Sequence, residues 1–500
     1  MRALAERLPE RVFAAAQVRE LERLAIERCG VTDYELMGRA AAGALRTIEQ
    51  RWPNARGLAI VCGAGNNAGD GLVVARLAQA GGRAVKVLLV APADRFKGAA
   101  AQAAADCGSA GIAFTRFEPR ELSGADVIVD ALLGTGLKRP VDDDFRAAID
   151  AVNAAGLPVL ALDIPSGLDA DSGWPSPVAV RATATITFLG LKQGLFLGAA
   201  IDYCGELEFE GLEVPAALGA DLASPLKRLV FDDLRRVLPP RLRSAHKGSS
   251  GRLLLVGGGP GMPGAIRLAA EAALRVGAGL VYVAAHPDSL ASVLAGRPEI
   301  IGISTKSAAD LDDILRVVDG VVLGPGLGQS AWAHGLWRRL VHSDVPLVLD
   351  ADGLNLLALE RVERDRWVLT PHPGEAARLL PGGTVESVQR DRVAAVEALA
   401  ARYRAVAVLK GPHTLIASPN GDAALRVCDR GNPGMATGGT GDVLAGTLGS
   451  LLVQTGNLQE AAHCGVLLHA LAGDAAAKEG ERGTLASDLL PHLRAWANPS

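Results

Sequence analysis

The sequence predicts two fused α/β domains, each built on a mostly parallel sheet, and three observations lead there. Short apolar runs alternate with longer helical patterns along most of the chain, as in βαβ units. The alternation breaks between about residues 212 and 250, where VPAALGADLASP and LPPRLRSAHKGSSG gather Pro, Ser and charge as a domain junction does. At 500 residues the chain is also too long for one ordinary core.

Residues 14–50 read as two helices, with Val18, Leu21, Leu24 and Ala25 at helical spacing. Strands are expected at Leu58–Cys62, Val85–Val90, Val127–Val129 and Val159–Leu162, each ending near Gly, Asp or Pro. The apolar run VKVLLV fits a sheet covered on both faces. After the junction come Leu253–Val256, Leu280–Ala284, Gly320–Leu323, Leu347–Leu349, Trp367–Leu369 and Val406–Leu409. An apolar helical region from Asp442 to about Ala477 closes the series. No fixed-period repeat relates the halves, so residues 1–220 and 221–500 are expected to be different folds.

Composition narrows the function. Hydrophobic residues make up 49% and charged residues 21%, a globular balance. Aromatic content of 4% gives few stacking platforms, and a net charge of −4 gives no general pull toward nucleic acid or anionic membrane. Phosphate binding must then come from local backbone geometry. Cys29, Cys62, Cys107, Cys204, Cys428 and Cys464 form no CxxC pair and read as reduced structural thiols. The N-terminal stretch is charged throughout, unlike a signal peptide, and no apolar run reaches the ~18 residues of a spanning helix. A cytoplasmic protein is expected, and helical surfaces rich in Ala and Leu suggest a homo-oligomer.

The first chemical signal is AIVCGAGNNAGDGLVVARLAQAG: strand, glycine-rich turn, helix. Such a turn lets a phosphate approach the backbone and offers it free amides and a positive dipole end. The ordinary dinucleotide fingerprint also wants an acid at the tip of the next strand. Here VKVLLV runs into Ala91-Pro92, which argues against a standard NAD dehydrogenase. Two later strands do carry carboxylates at their ends, Asp130 in VIVDALLGTGL and Asp163 in VLALDIPSGLDADSG. Either alone could cap a turn; together with the glycine loop they gather at the strand ends where ligands bind.

QVRELERLAIERCG, CGAGNNAGDG, DALLGTGL and LDIPSGLDADSG, in this order over roughly residues 14–215, resemble the NAD(P)H-hydrate epimerase domain. The resemblance implies a Rossmann-like three-layer α/β/α fold that equilibrates the R and S epimers at C6 of the hydrated nicotinamide. It implies a nucleotide cradle of Asn66, Asn67, Ala68, Gly69 and Asp70, with Gly134, Thr135, Gly136, Leu137, Lys138, Arg139 and Pro140, and a contact from Asp163. It further implies a potassium ion (K+) on Asn67, Asp130 and Ser166, where one carboxylate and neutral oxygens suit a weakly charged hard cation. Asp163 is the candidate general acid/base for moving the C6 hydroxyl.

The strongest catalytic signal is GNPGMATGGTGDVLAGTLGSLLV. Gly438, Gly439 and Gly441 free the backbone for an anion hole, and Asp442 can take a proton from an attacking hydroxyl. The plainer alternative is a helix cap. No GxxxxGK[ST] is present, which excludes a P-loop. GGTGD instead resembles the ribokinase-like kinases, and AHKGSSGRLLLVGGGPGMPGA, VLGPGLG, LDADGLN, TPHPGE and LKGPHT sharpen the match. Over about 228–499 they resemble the ADP-dependent NAD(P)H-hydrate dehydratase domain, a ribokinase-like α/β fold. The resemblance implies that Ala265, Gly326, His372 and Asp442 contact the hydrated nucleotide. Lys410, Gly411, Pro412, His413, Thr414 and Gly441 would bind ADP, accompanied by Mg2+. GGGPGM departs from the family, which usually has Ser near Gly259. Asp350, Asp352 and Asn355 either line the same face or shape the turn.

The ligands implied are NADHX or NADPHX and ADP. Two other functions remain in view: a small-molecule kinase with an N-terminal sensor, and a non-catalytic nucleotide-binding first half that regulates the second. TPHPGE and the epimerase-like half weigh against the first.

Overall fold

In the computed structural model, residues 8–136, 140–419 and 424–499 are described; Leu137, Lys138 and Arg139 of the expected cradle lie outside them. The chain divides into two compact units at Leu226–Lys227.

The strands of the first unit are β1 (Arg11–Phe13), β2 (Gly57–Cys62), β3 (Ala84–Leu89), β4 (Phe114–Arg116), β5 (Val127–Ala131), β6 (Val159–Leu162), β7 (Ala184–Phe188), β8 (Leu191–Lys192) and β9 (Glu206–Glu210). Seven form a parallel sheet in the order β4-β3-β2-β5-β6-β7-β9. Alternation along β2 explains the layering. Leu58, Ile60 and Cys62 pack with Leu72 and Val73 of the helix Asn66–Ala80, while Ala59 and Val61 pack with Ile149 and Val152 of the helix Asp143–Ala154. Both faces are therefore covered, giving three layers. Strand order reverses between β2 and β5, and ligands bind beyond the strand ends at such a switch point.

β10 (Leu226–Arg228) spans the division. The second unit carries β11 (Arg252–Val256), β12 (Leu280–Ala285), β13 (Ile301–Ser304), β14 (Gly320–Leu323), β15 (Leu347–Leu349), β16 (Trp367–Leu369), β17 (Val406–Leu409), β18 (Thr414–Ala417) and β19 (Leu425–Cys428). They run β13-β12-β11-β14-β15-β16-β17-β18-β19, parallel through β17 and antiparallel for the last two pairs. Helices Pro263–Val276, Thr440–Thr455, Leu458–Ala476 and Ala486–Trp496 pack into a shared apolar core.

The expected helical region from Asp442 is two helices. Gly456, at φ 67°, ends the first, and the Asn457 side chain accepts from Gln459 and Glu460 amides to start the second. Gly446 explains how closely two helices approach: a Cβ there would lie 1.9 Å from the Ala269 carbonyl oxygen. Overpacking usually costs about 1–3 kcal/mol, and a clash with backbone sits at the upper end. Gly446→Ala should therefore lower the thermal midpoint of the second unit by several degrees in calorimetry.

Two candidate active sites

In the first unit, chain leaving β2 turns at Gly63, whose absent Cβ would stand 2.1 Å from the Leu132 carbonyl oxygen. Only glycine lets the loops after β2 and β5 touch here. The helix Asn66–Ala80 begins behind Gly65 with no side-chain cap, so its first amides stay open toward the cleft. A cleft of about 490 Å³ lies at this switch point, and its lining includes Asn66, Asn67, Asp70, Gly134, Thr135, Gly136 and Asp163. Ala68 and Gly69 are buried instead, Gly69 against Met37 and Ala100. Pro140 is exposed and does not belong to the lining.

Asp163 occupies the left-handed region at φ 67°, a conformation held only when its surroundings demand it. Its carboxylate is ion-paired with the buried Lys192 ammonium, which also donates to Thr187 Oγ1 at 2.9 Å and the Phe188 carbonyl at 2.9 Å. Sequence reasoning missed Lys192, although a lysine in the apolar stretch FLGLKQGLFLG was the available signal. It also missed Glu22 and Asp33, cleft-lining residues that look like ordinary solvated helix positions in sequence.

Beneath the cleft, Asp130 is fully buried. Its Oδ1 accepts from Ser166 Oγ at 2.6 Å and Leu132 N at 3.2 Å, and its Oδ2 from Ser166 N at 2.8 Å. Burial nevertheless pushes the carboxyl up to about 6, against those hydrogen bonds. Asn67 Nδ2 donates to the Leu133 carbonyl at 3.1 Å, while Asn67 Oδ1 is buried with no hydrogen-bond partner. Ser166 Oγ lies 3.1 Å from the same carbonyl oxygen. An orphaned amide oxygen and a costly buried carboxylate, linked through Ser166 and the Leu133 carbonyl, fit a monovalent cation. Among the described residues no cluster of three His, Cys, Asp or Glu side chains is placed to hold a metal ion.

In the second unit the loops after β14, β15, β16 and β17 and the start of the helix Thr440–Thr455 form a second constellation. The cap position of that helix is Gly439, at φ 95°, and its helical run begins at Thr440. Asp442 therefore sits inside the first turn and caps nothing, which removes the plainer alternative. Burial first, then the Asp350 and Asp352 charges, push its carboxyl up to about 7, partly offset by Lys410.

Lys410 Nζ donates to Asp350 Oδ1 at 2.6 Å and lies 3.7 Å from Glu375 Oε2. Burial alone would lower this ammonium; Asp350, Glu375 and Asp442 outweigh it and hold it above the usual lysine range. Gly441 abuts the pair, since a Cβ there would lie 3.4 Å from Lys410 Nζ and 3.7 Å from Asp350 Oδ2. Asp350 is braced by Thr370 Oγ1 at 2.8 Å. Asp352 Oδ2 instead accepts from Gly328 N at 2.8 Å, and Asn355 donates to Asp352 Oδ1 at 3.2 Å, so these two shape the turn.

His372 caps the helix Pro373–Leu379: Nδ1 accepts from the Gly374 and Glu375 amides at 3.0 and 3.3 Å. Both are donors, so Nε2 carries the proton. Burial, Lys410 and Arg378 hold the ring below its usual pKa, and the neutral imidazole remains about half exposed. Ala265 and Gly326 are neighbours, as a Cβ on Gly326 would stand 3.2 Å from Ala265 Cβ. Gly411, Pro412 and His413 form the turn joining β17 to β18, and Thr414 Oγ1 closes it onto the Gly411 carbonyl at 2.9 Å. The buried Arg392 supports this turn from below, donating to the Leu409 and Lys410 carbonyls at 3.2 and 3.3 Å. His469, also missed, is buried on the helix Leu458–Ala476 with Nε2 3.0 Å from the Thr440 carbonyl. Burial drives its pKa down to about 4, leaving a neutral brace for the glycine loop.

Two sites at strand ends, one an uncapped helix at a cleft above a buried Asp130 and the other a glycine loop over a Lys–carboxylate cluster, define a two-site nucleotide-handling enzyme. Residues 33–194 match the family of the YjeF-related protein N-terminus, and 253–494 match the NAD(P)H-hydrate dehydratase family. A bifunctional NAD(P)H-hydrate repair enzyme of Coxiella burnetii is 48% identical, with 98% of this chain and 99% of the relative covered. One from Escherichia coli is 42% identical over 98% and 95%. A ribokinase-like superfamily protein from Enterococcus faecalis aligns with a TM-score of 0.51 at 28% identity, over 55% of this chain and 96% of its own. The chain belongs to the family of bifunctional NAD(P)H-hydrate repair enzymes, an epimerase unit joined to an ADP-dependent dehydratase unit.

Among the described residues no helix is long and apolar enough to cross a membrane.

Proposed function

We propose that the first cleft binds hydrated NADH or NADPH and interconverts its C6 epimers, and that the second dehydrates the S epimer at the expense of ADP. The observation that supports this best is Asp442. It stands in the first turn behind the open glycine run, beside a lysine that can meet phosphate, with its carboxyl near neutrality. Hydroxide is a poor leaving group and phosphate a good one. Asp442 takes the proton of the C6 hydroxyl as that oxygen attacks the terminal phosphorus of ADP, leaving AMP. Loss of phosphate from C6 and of the C5 proton then restores the dihydronicotinamide ring. Backbone amides of Gly438 to Gly441 hold the transferring phosphoryl group, and Lys410 meets its charge. The turn Lys410–Thr414 holds the rest of ADP, while Ala265, Gly326 and His372 face the hydrated nucleotide. Mg2+ arriving with ADP would neutralise phosphate charge. The second site offers Asp350 and Glu375 near it, but both already serve Lys410.

In the first unit Asn66, Asn67, Asp70 and Gly134 to Gly136 cradle the nucleotide and Asp163 moves protons. K+ would be held by Asn67 Oδ1, Asp130 and Ser166, and supplies the positive charge that the buried Asp130 otherwise lacks. Asp130→Ala should thus abolish the response of epimerisation to potassium. If the variant's rate still climbs with KCl as the parent's does, the ion lies elsewhere.

The overall reading is tested with the full chain and the separated epimers. Conversion of R to S should need no nucleotide, and return of reduced-nicotinamide absorbance should need ADP. A chain that phosphorylates a small alcohol but leaves both epimers untouched would sink it.

A further inference from the structure

Carboxylates gather in the described wall of the first cleft. Among the described residues its lining holds four carboxylates, Glu22, Asp33, Asp70 and Asp163, against two cations, Arg19 and Lys192, and Lys192 is already committed to Asp163. Two of these carboxyls have opposite surroundings. Asp163 is bonded to an ammonium. Asp70, one turn into the helix Asn66–Ala80, has no hydrogen-bond or ion-pair partner among the described residues, yet lies in the same cleft wall. Burial raises its pKa well above the carboxylate range, the charges of Asp163 and Glu22 add to this, and Lys192 offsets only part. Glu22 is raised too, by burial and then by Asp33 and Asp163, so the cleft does not favour full ionisation. One cleft thus holds two carboxyls, one without a partner among the described residues and disfavoured in its charged form, the other bonded to a lysine. Such a pair suits a site that runs acid and base steps at one pH.

We propose that Asp70 is the catalytic acid of epimerisation, giving its proton to the departing C6 hydroxyl, with Asp163 receiving the proton of the water that returns. The inference rests on the epimerase reading of this cleft. In the forward step the Asp70 Oδ–H bond breaks and its proton joins the C6 oxygen. The C6–O bond then breaks with its electron pair, water leaves, and the ring nitrogen's lone pair forms the N1=C6 bond of a cation. Water adds to the opposite face of C6, the N1=C6 pair returns to nitrogen, and the released proton goes to Asp163. Nothing is oxidised or reduced. The reverse direction exchanges the two roles, with solvent resetting the protons through the open cleft. The acidic lining gains a purpose, since the ring is cationic only between the two hydrated states, where carboxylates stabilise it most.

The test uses the full chain, the R epimer of hydrated NADH, no ADP, and chromatographic separation of the epimers over a pH series. Asp70→Asn should lower kcat on the order of 10²-fold or more with KM changed by less than about threefold, in line with loss of a general acid. Wild-type rate should fall on the alkaline side as Asp70 loses its proton, and the variant's residual rate should lack that limb. Asp70→Glu should recover much of the loss with the limb displaced. A wild-type kcat in Asp70→Asn, or a raised KM at unchanged kcat, overturns the assignment and leaves Asp70 a binding residue. Should Asp70→Asn fail to fold, Asp70→Glu decides: a displaced alkaline limb supports the role and an unmoved one overturns it. A wild-type chain inactive on either epimer without ADP would strike the epimerase reading itself, which is a separate failure.

Discussion

An Asp442→Asn enzyme is expected to lose dehydration by about 10²–10⁴ while epimerising normally. Asn keeps the shape of the first helical turn but cannot accept the hydroxyl proton. Amides of the glycine run remain, so ADP should bind with little change. The parent's dehydration should rise with pH through about 7, because Asp442 must be ionised to act and its carboxyl is pushed up to about 7. That limb should be missing from the variant. Stability should move the other way. A carboxyl raised in the folded state stabilises it below the unfolded value near 3.8, and that contribution is lost as pH rises toward 7. The full difference corresponds to at most about 4 kcal/mol, and partial exposure of Asp442 reduces it. Asp442→Asn should therefore melt higher than the parent at pH 8, with the gain shrinking at pH 4. A variant that dehydrates the S epimer at the parent's rate would remove Asp442 from the chemistry.

Central strands were legible from the sequence because burial on both faces leaves an unbroken apolar run. Val159–Leu162, Gly320–Leu323, Leu347–Leu349, Trp367–Leu369 and Val406–Leu409 occupy the expected residues. Others run one residue off, as Ala84–Leu89 does against Val85–Val90. Strands that were not foreseen carry polar residues. ELEFE (β9) alternates charge with apolar residues, and ATITF (β7) buries Thr185, whose hydroxyl finds the Cys204 carbonyl at 2.7 Å. Hydrogen bonds of that kind are supplied by distant chain and leave no local trace. The same limit applied to the sites. Glycine loops and strand-end carboxylates announce themselves by spacing. Lys192 and His469 matter through neighbours 29 residues away, Asp163 for Lys192 and Thr440 for His469. The 220/221 boundary expected from the composition break lies a few residues from the division at Leu226–Lys227.

Lys192→Met should damage the first unit more than any other single change in its cleft. The side chain is 1% exposed, and its ammonium is spent on Asp163, Thr187 and the Phe188 carbonyl. Met fills much the same volume, so packing changes little and electrostatics dominate. Removing one partner of a buried pair commonly costs about 3–5 kcal/mol, because the other charge stays behind without compensation. Asp163 is 17% exposed, so the lower end of that range applies. For a unit of this size about 3 kcal/mol corresponds to roughly 6–12 °C in melting midpoint. Asp163 also sits at φ 67°, a conformation that the Lys192 contact helps to hold, so the carboxylate should lose its aim as well as its partner. Epimerisation should then fall by at least about 10²-fold, since a proton acceptor acts only within hydrogen-bond reach. Dehydration of the S epimer, assayed in the same preparation, should persist and show that the second unit is folded. The double variant Lys192→Met/Asp163→Asn separates the causes. It removes the stranded charge and should regain most of the lost melting midpoint, while epimerisation stays low. If the midpoint does not recover, the damage comes from packing and the ion pair is not what holds this wall of the cleft.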